Sequence, residues 1–221
     1  MIGVVGGGQL ARMLVQAAAA RQIPVAVQTG SDQDPAVEGA SRLVTADPRD
    51  VAGTRQLVEG CSGITFENEW VNIDALIPLE QQGVRFQPAL AALSPLVDKL
   101  SQRQLLADLS IPSPSWCPLS LVSPAQPALP QGWSFPVMAK AARGGYDGKG
   151  TLVLPDIDAL AQLMRSVRAE DWMLEAWVDY ERELALVVSR DASGSVRAFP
   201  LVETHQSQQV CDWVLAPAAA P

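Results

Sequence analysis

The chain has 221 residues, 48% of them hydrophobic, and a formal net charge of −8. That length suits one large or two small domains with a real core. The acidity argues against non-specific nucleic-acid or anionic-membrane binding, which need a basic surface. Cys61, Cys117 and Cys211 are scattered and His205 is the single histidine, so no CxxC or multi-histidine metal site is present, and a reducing, cytoplasmic setting is expected.

The amino terminus enters Ile2-Gly-Val-Val-Gly without a basic region or a cleavage site, so no signal peptide is expected. Leu10–Val27 is apolar but interrupted by Arg12, Gln16, Arg21, Gln22 and Pro24, too polar to span a membrane. Met1–Val5 reads as a buried strand. A helix follows from Gln9 to about Arg21, with Leu10, Leu14, Ala17 and Ala18 on its apolar side. Strands are predicted at 24–28, 42–45, 63–66 and 84–86, and helices at 50–59 and 72–82. Strands alternating with helices imply a parallel sheet covered on both faces, a Rossmann-like layer over residues 1 to about 92.

Gly6-Gly-Gly8-Gln-Leu-Ala11 matches G-x-G-x-x-G/A between a strand and a helix. Its glycines allow a tight turn, and the helix N-terminus favours an anion. A dinucleotide-dependent oxidoreductase would want an acid at the end of the second strand. Gln28 and Thr29 stand there, and Asp32 comes later. Glu67 and Glu69, in Thr65-Phe-Glu-Asn-Glu, follow the fourth predicted strand, at the carboxyl edge where open α/β sheets bind ligands.

Residues 98–109 read as an amphipathic helix. Seven prolines between 112 and 136 exclude regular helix and mark a connector. A second region then alternates strands at 137–142, 151–154, 172–178, 183–189 and 196–202 with a helix at 157–167 and a turn at 191–194. Between its first two strands lies Lys140-Ala-Ala-Arg-Gly-Gly-Tyr-Asp-Gly-Lys-Gly150. Glycines let backbone N–H groups converge on an anion, and Lys140 and Lys149 add point charges suited to phosphate. The string is not a Walker loop, which would enter a helix through GK[ST].

Arg143-Gly-Gly-Tyr-Asp-Gly-Lys-Gly150 resembles the phosphate-covering loop of the 5-(carboxyamino)imidazole ribonucleotide synthases, ATP-grasp ligases of de novo purine synthesis. The resemblance implies an α/β chain with a pre-ATP-grasp domain over 1–92, then an incomplete α+β ATP-grasp region over 93–221. It implies ATP-dependent carboxylation of 5-aminoimidazole ribonucleotide with bicarbonate. It assigns ATP to Lys99, Lys140, Gly145, Tyr146, Asp147, Gly148, Lys149, Gly150 and Thr151, to a hinge at Glu175, Ala176, Trp177 and Val178, to the ribose acid Glu183, and to Gln206. It assigns the ribonucleotide to Gly8, Gln9, Leu10 and Glu69. Pro200-Leu-Val-Glu-Thr-His-Gln206 is similar to a family segment whose histidine aligns with Gln206, so either Gln206 makes the hydrogen bonds or the local register shifts. Magnesium ligands are expected beyond residue 221, no metal ligand is assigned within the chain, and the full-length form is expected to be a homodimer. A non-catalytic nucleotide-binding fragment is the alternative of another class.

Overall fold

The computed structural model describes residues 1–145, 150–191, 193–207 and 210–219, and the chain divides into two compact units, Met1–Ile111 and Pro112–Pro221.

In the first unit β1 (Ile2–Val5), β2 (Val25–Thr29), β3 (Arg42–Thr45) and β4 (Gly63–Phe66) form a parallel sheet in the order β3-β2-β1-β4. Side chains alternate across a strand, and two hydrophobic clusters divide accordingly. Val4, Val25 and Val27 pack with Ala11 and Val15 of helix α1 (Gln9–Ala19). Val5, Ala26, Val44 and Ile64 pack on the other face with Leu57 of α2 (Val51–Val58) and with Leu76 and Leu79 of α3 (Ile73–Gln81). The short helix α4 (Leu90–Leu93) adds Leu90 and Leu93 to that second cluster. The doubly covered parallel sheet expected from the alternating pattern is therefore present.

Asp50 caps α2 by accepting the Ala52 N–H, Asn72 caps α3 by accepting the Ala75 N–H, and Asp98 caps α5 (Lys99–Asp108) by accepting the N–H groups of Leu100 and Ser101. The strand expected over 84–86 is reduced to one parallel bridge between Ile64 and Phe86. Ile64 N–H donates to Arg85 O and Gln87 N–H donates to Ile64 O, both at 2.8 Å. The next residue is Pro88, which has no N–H to continue the ladder.

In the second unit β5 (Trp116–Pro118), β6 (Val137–Ala141), β7 (Thr151–Leu154) and β8 (Trp172–Ala176) form an antiparallel sheet in the order β5-β8-β6-β7. Val137, Ala139, Leu154 and Leu174 face helix α6 (Ile157–Ser166), which buries Leu160 and Leu163 against them. Asp156 caps α6 through the Ala159 N–H at 2.9 Å. β5 lies inside the proline-rich connector, where no strand was expected. It is an edge strand, a place in a sheet where proline is tolerated.

The single strands expected over 183–189 and 196–202 are each divided. β9 (Glu183–Ala185) pairs with β12 (Val202–Ser207), and β10 (Val188–Arg190) pairs with β11 (Val196–Ala198). The chain changes sheet across Leu186 and Val187, which a uniform apolar run does not reveal. The strand expected to reach residue 178 stops at Ala176. β13 (Val210–Leu215), not expected, pairs with β12. The turn at 191–194 is present: Asp191 O accepts the Gly194 N–H at 3.0 Å, and Asp191 Oδ1 accepts the Ser193 and Ser195 N–H groups.

Candidate functional site

The β5–β8 sheet has one face on α6 and one face over a cavity. Register places Met138 opposite both Glu175 and Val153, and Lys140 opposite Thr151, so these five side chains share a face. They line a cavity of about 850 Å³, together with Pro114, Ala176, Trp177, Val178, Asp179, Tyr180 and Glu183. That volume lies in the range of small-ligand pockets. Seven of the residues assigned to ATP by resemblance therefore border one space: Lys140, Thr151, Glu175, Ala176, Trp177, Val178 and Glu183.

Lys140 and Glu175 form an ion pair on the cavity floor, with Glu175 only 2% exposed. The two residues sit on adjacent antiparallel strands, which fixes their separation. A buried carboxylate needs such a partner, because its desolvation is otherwise uncompensated. Downstream of Ala176 the chain leaves the sheet. Ala176 N–H donates to Ser115 O at 2.8 Å, and Trp177 to Tyr180 run as irregular backbone along the cavity. Irregular backbone at a pocket edge offers N–H and C=O groups to a planar heterocycle.

The glycine-rich connection closes a β6–β7 hairpin. Ala141 N–H donates to Gly150 O at 2.7 Å. Gly150 has φ +73°, and a Cβ there would lie 3.1 Å from Ala141 Cβ and 3.3 Å from Gly145 Cα. The loop's two ends therefore touch at Gly145 and Gly150, and glycine is required at the second for both backbone and space. Tyr146, Asp147, Gly148 and Lys149 lie outside the described residues.

Glu183 stands at the start of β9. Its Oε1 accepts from Thr204 Oγ1 at 3.0 Å and from Gln206 Nε2 at 2.9 Å. Gln206 therefore hydrogen-bonds Glu183, and the β12–β13 register shift between His205 and Gln206 places its extra residue, Asp212, on β13. His205 stacks on Trp213, centroids 5.1 Å apart, with Nδ1 3.7 Å from Asp212.

In the first unit the glycine turn is closed from within. Glu67 Oε2 accepts the Gly8 N–H at 2.8 Å, and Glu67 Oε1 accepts the Ala11 N–H at 3.3 Å. A carboxylate at a helix N-terminus meets both the unpaired N–H groups and the positive end of the dipole. The glycines are accounted for by these contacts. A Cβ on Gly6 would lie 2.6 Å from Glu67 Cβ, one on Gly7 2.5 Å from Thr29 Cβ, and one on Gly8 2.5 Å from Glu67 Oε1. Gln9 and Leu10 are exposed, and their N–H groups take no partner among the described residues. Glu69 is half-buried beyond β4. Gln28 is fully buried, donating to Asp47 O and Asp50 O and accepting from Thr54 Oγ1, so the end of β2 offers no group to a ribose. Lys99 opens α5 in the first unit, half-buried, whereas the cavity is lined by residues of the second.

Sequence reasoning missed Met138, Val153, Pro114, Asp179, Tyr180 and Thr204. The first two were within reach: each lies two residues from a named one, Lys140 or Thr151, on the same strand face. Among the described residues no three carboxylates, thiols or imidazoles gather to hold a metal ion. No described helix is long and apolar enough to cross a membrane.

A profile of the ATP-grasp domain matches residues 104–221, and one of the ribonucleotide synthetase preATP-grasp domain matches residues 1–95. The N5-carboxyaminoimidazole ribonucleotide synthase of Synechococcus elongatus is 46% identical over 220 residues, 100% of this chain and 55% of that protein. The protein of the same name from Synechocystis is 46% identical over 98% of this chain and 54% of its own length. The chain thus spans about half the length of the curated relatives it matches. The crystal structure of carboxyaminoimidazole ribonucleotide synthase from Aspergillus clavatus complexed with ATP superposes with TM-score 0.89 at 29% identity, over 98% of this chain and 57% of that one. A second structure of that enzyme, with ADP and 5-aminoimidazole ribonucleotide, gives 0.85 at 28% identity, over 99% of this chain and 57% of that one. The chain belongs to the ATP-grasp family and is a homologue of the N5-carboxyaminoimidazole ribonucleotide synthases.

Proposed function

We propose that the cavity of the second unit binds ATP and that the chain is the nucleotide-binding half of an enzyme that carboxylates 5-aminoimidazole ribonucleotide. The observation that carries this reading is the gathering of Lys140, Thr151, the 175–178 hinge and Glu183 around one cavity. The relatives' solved complexes with ATP, and with ADP and aminoimidazole ribonucleotide, support it.

In this reading the hinge backbone meets adenine, and Glu183 accepts from the ribose hydroxyls. Lys140 and the 144–150 loop steady the β- and γ-phosphates, with Lys99 adding charge. A bicarbonate oxygen attacks the γ-phosphorus, the bond to the β-bridging oxygen breaks, and ADP leaves. The exocyclic amine then attacks the carbon of the carboxyphosphate, or of the carbon dioxide it releases. Inorganic phosphate departs and the amine loses a proton. Catalysis of phosphoryl transfer rests on positioning and charge, and Lys140, paired with Glu175, is a described cation on the cavity floor. Gln9 and Leu10 present the two N–H groups of the glycine turn that Glu67 leaves open, and they are assigned to the ribonucleotide phosphate with Gly8 and Glu69 beside them. Magnesium would assist at the phosphates. The whole enzyme is read as a cytoplasmic homodimer.

Calorimetric titration with ATP tests the reading. The double variant Lys140→Met with Glu175→Gln removes both charges of the pair. It should lose roughly 10-fold or more in affinity, since hydrogen bonds to charged groups are worth about 1.5–3 kcal/mol. Unchanged affinity would remove ATP from this cavity. ATP binding without bicarbonate- and ribonucleotide-dependent ADP release by the full-length enzyme would favour a non-catalytic nucleotide-binding protein.

A further inference from the structure

Glu183 is held rather than merely present. It sits directly across from Thr204 in the β9–β12 pairing, and Thr204 and Gln206 stand two residues apart on one face of β12. Both donors reach the same oxygen, Oε1, at 3.0 and 2.9 Å. The irregularity between His205 and Gln206 falls on the partner strand, where Asp212 is the extra residue. β12 itself therefore keeps its alternation, Gln206 stays beside Thr204, and His205 turns to the other face onto Trp213. Among the described residues Oε2 of Glu183 takes no partner, and Glu183 lines the cavity.

We propose that Thr204 is a positioning residue for Glu183: with Gln206 it pins Oε1 so that Oε2 faces the cavity as an acceptor for the vicinal hydroxyls of a ribonucleotide. The proposal rests on the ATP reading above and adds the basis on which this site distinguishes a ribose from a deoxyribose. An exposed glutamate spends most of its time in other rotamers, and ordering it costs side-chain entropy on binding. Two donors on one oxygen meet that cost before the ligand arrives. Thr204 suits the role because its branched Cβ restricts χ1 in a strand. Its neighbour Gln206 reaches the same oxygen with a longer and softer side chain, so the threonine sets the position and the glutamine follows.

The test compares ATP with 2′-deoxy-ATP by calorimetry, with inorganic tripolyphosphate as a control for the phosphate subsite. Thr204→Val keeps the shape and strand preference of the side chain and removes only the hydroxyl. Wild type should prefer ATP, and Glu183→Gln should lose most of that preference. Thr204→Val should lower the ratio of the two dissociation constants by about 2–10-fold, the worth of one hydrogen bond, and Thr204→Ser should restore it. Tripolyphosphate affinity should stay constant throughout. A Thr204→Val variant with the wild-type ratio overturns the proposal. So does one that weakens ATP and 2′-deoxy-ATP equally, which marks a purely structural role. Wild type that binds tripolyphosphate but neither nucleotide overturns the ATP reading itself, and this inference with it.

Discussion

The carboxylate of Glu67 lies 2.8 Å from the N–H of Gly8, across 59 residues of sequence, and closes the N-terminus of α1. The glycine signature that resembles a phosphate-binding turn is thus filled in part by the protein's own anion. The three glycines should respond differently to substitution. Gly6 has φ +111° and faces Glu67 Cβ, and Gly7 faces Thr29 Cβ, neither of which can swing away. Gly8 has an ordinary φ of −76° and faces only the tip of Glu67. Gly6→Ala and Gly7→Ala should each cost about 1–3 kcal/mol or more in urea unfolding, as overpacking does. Gly8→Ala should cost less, and Glu67→Ala should relieve much of it. A double-mutant cycle reads that coupling. Equal costs at all three glycines would mean that Glu67 does not occupy the turn.

Gln28 shows why a dinucleotide fingerprint fails here. Its amide is fully buried and spans the Asp47 and Asp50 carbonyls and the Thr54 hydroxyl. Gln28→Leu keeps the volume and strips three hydrogen bonds, while Asp47 O and Asp50 O keep the N–H groups of Asp50 and Thr54 and the Thr54 hydroxyl keeps Asp50 O. The expected loss is about 1–3 kcal/mol, from a net worth of roughly 0.5–1.5 kcal/mol for each bond stripped, discounted for the partners that remain. Thermal unfolding checks it, and an unchanged midpoint would show that the network contributes nothing.

Acid stability carries a signature at Asp47. The Arg49 side chain and then its backbone N–H hold this carboxyl at about 2, well below the usual range. A depressed folded value favours the native state above the unfolded value of about 4, and that contribution disappears as pH falls through about 2. The pair is half-exposed, so solvent screening keeps the effect small. Asp47→Asn should flatten the stability profile between about pH 4 and pH 2 and leave its slope near neutrality alone. An unaltered acid limb would show that the Arg49 contact is not kept in solution.

Much of the fold was legible because pattern and partner agree. β3, β4 and β7 begin and end where the apolar runs do, since each is flanked by turn residues and paired along its whole length. β5 was hidden by its prolines and the break between β9 and β10 by continuous apolar sequence, whereas the break between β11 and β12 is marked by Pro200. At the cavity, Lys140, Thr151 and Glu183 carry visible chemistry. Met138 and Val153 carry none and follow only from strand alternation. Thr204 and Glu67 act through contacts 21 and 59 residues distant, which no local pattern encodes.

The Lys140–Glu175 pair should be asymmetric under mutation. Glu175 is nearly sealed from solvent, whereas the Lys140 side chain is 24% exposed. Removing the lysine takes a counter-charge from a nearly sealed carboxylate, and breaking a buried pair from one side costs up to about 3–5 kcal/mol. Removing the glutamate charge frees a lysine that still reaches water. Lys140→Met should therefore unfold at distinctly lower urea than Glu175→Gln, and the double variant should recover most of the difference. Equal destabilisation by the two single changes would show that Glu175 is not buried in solution.

Strands β9, β10, β11 and β13 present apolar side chains to solvent. Leu184 is 41% exposed, Val188 58%, Val196 60%, Phe199 63% and Val214 54%. β13 is also an edge, with one side of its backbone unpaired by any described strand. An open edge with apolar flanks is a template for another chain. The 221-residue chain should therefore self-associate in a concentration-dependent way. A lysine on the edge strand opposes such pairing by repulsion and by desolvation cost, so Val214→Lys should shift sedimentation towards monomer. Far-ultraviolet circular dichroism should stay the same, because Val214 lies outside all three buried clusters. A monomeric wild type at high concentration would show that these strands cover one another in solution.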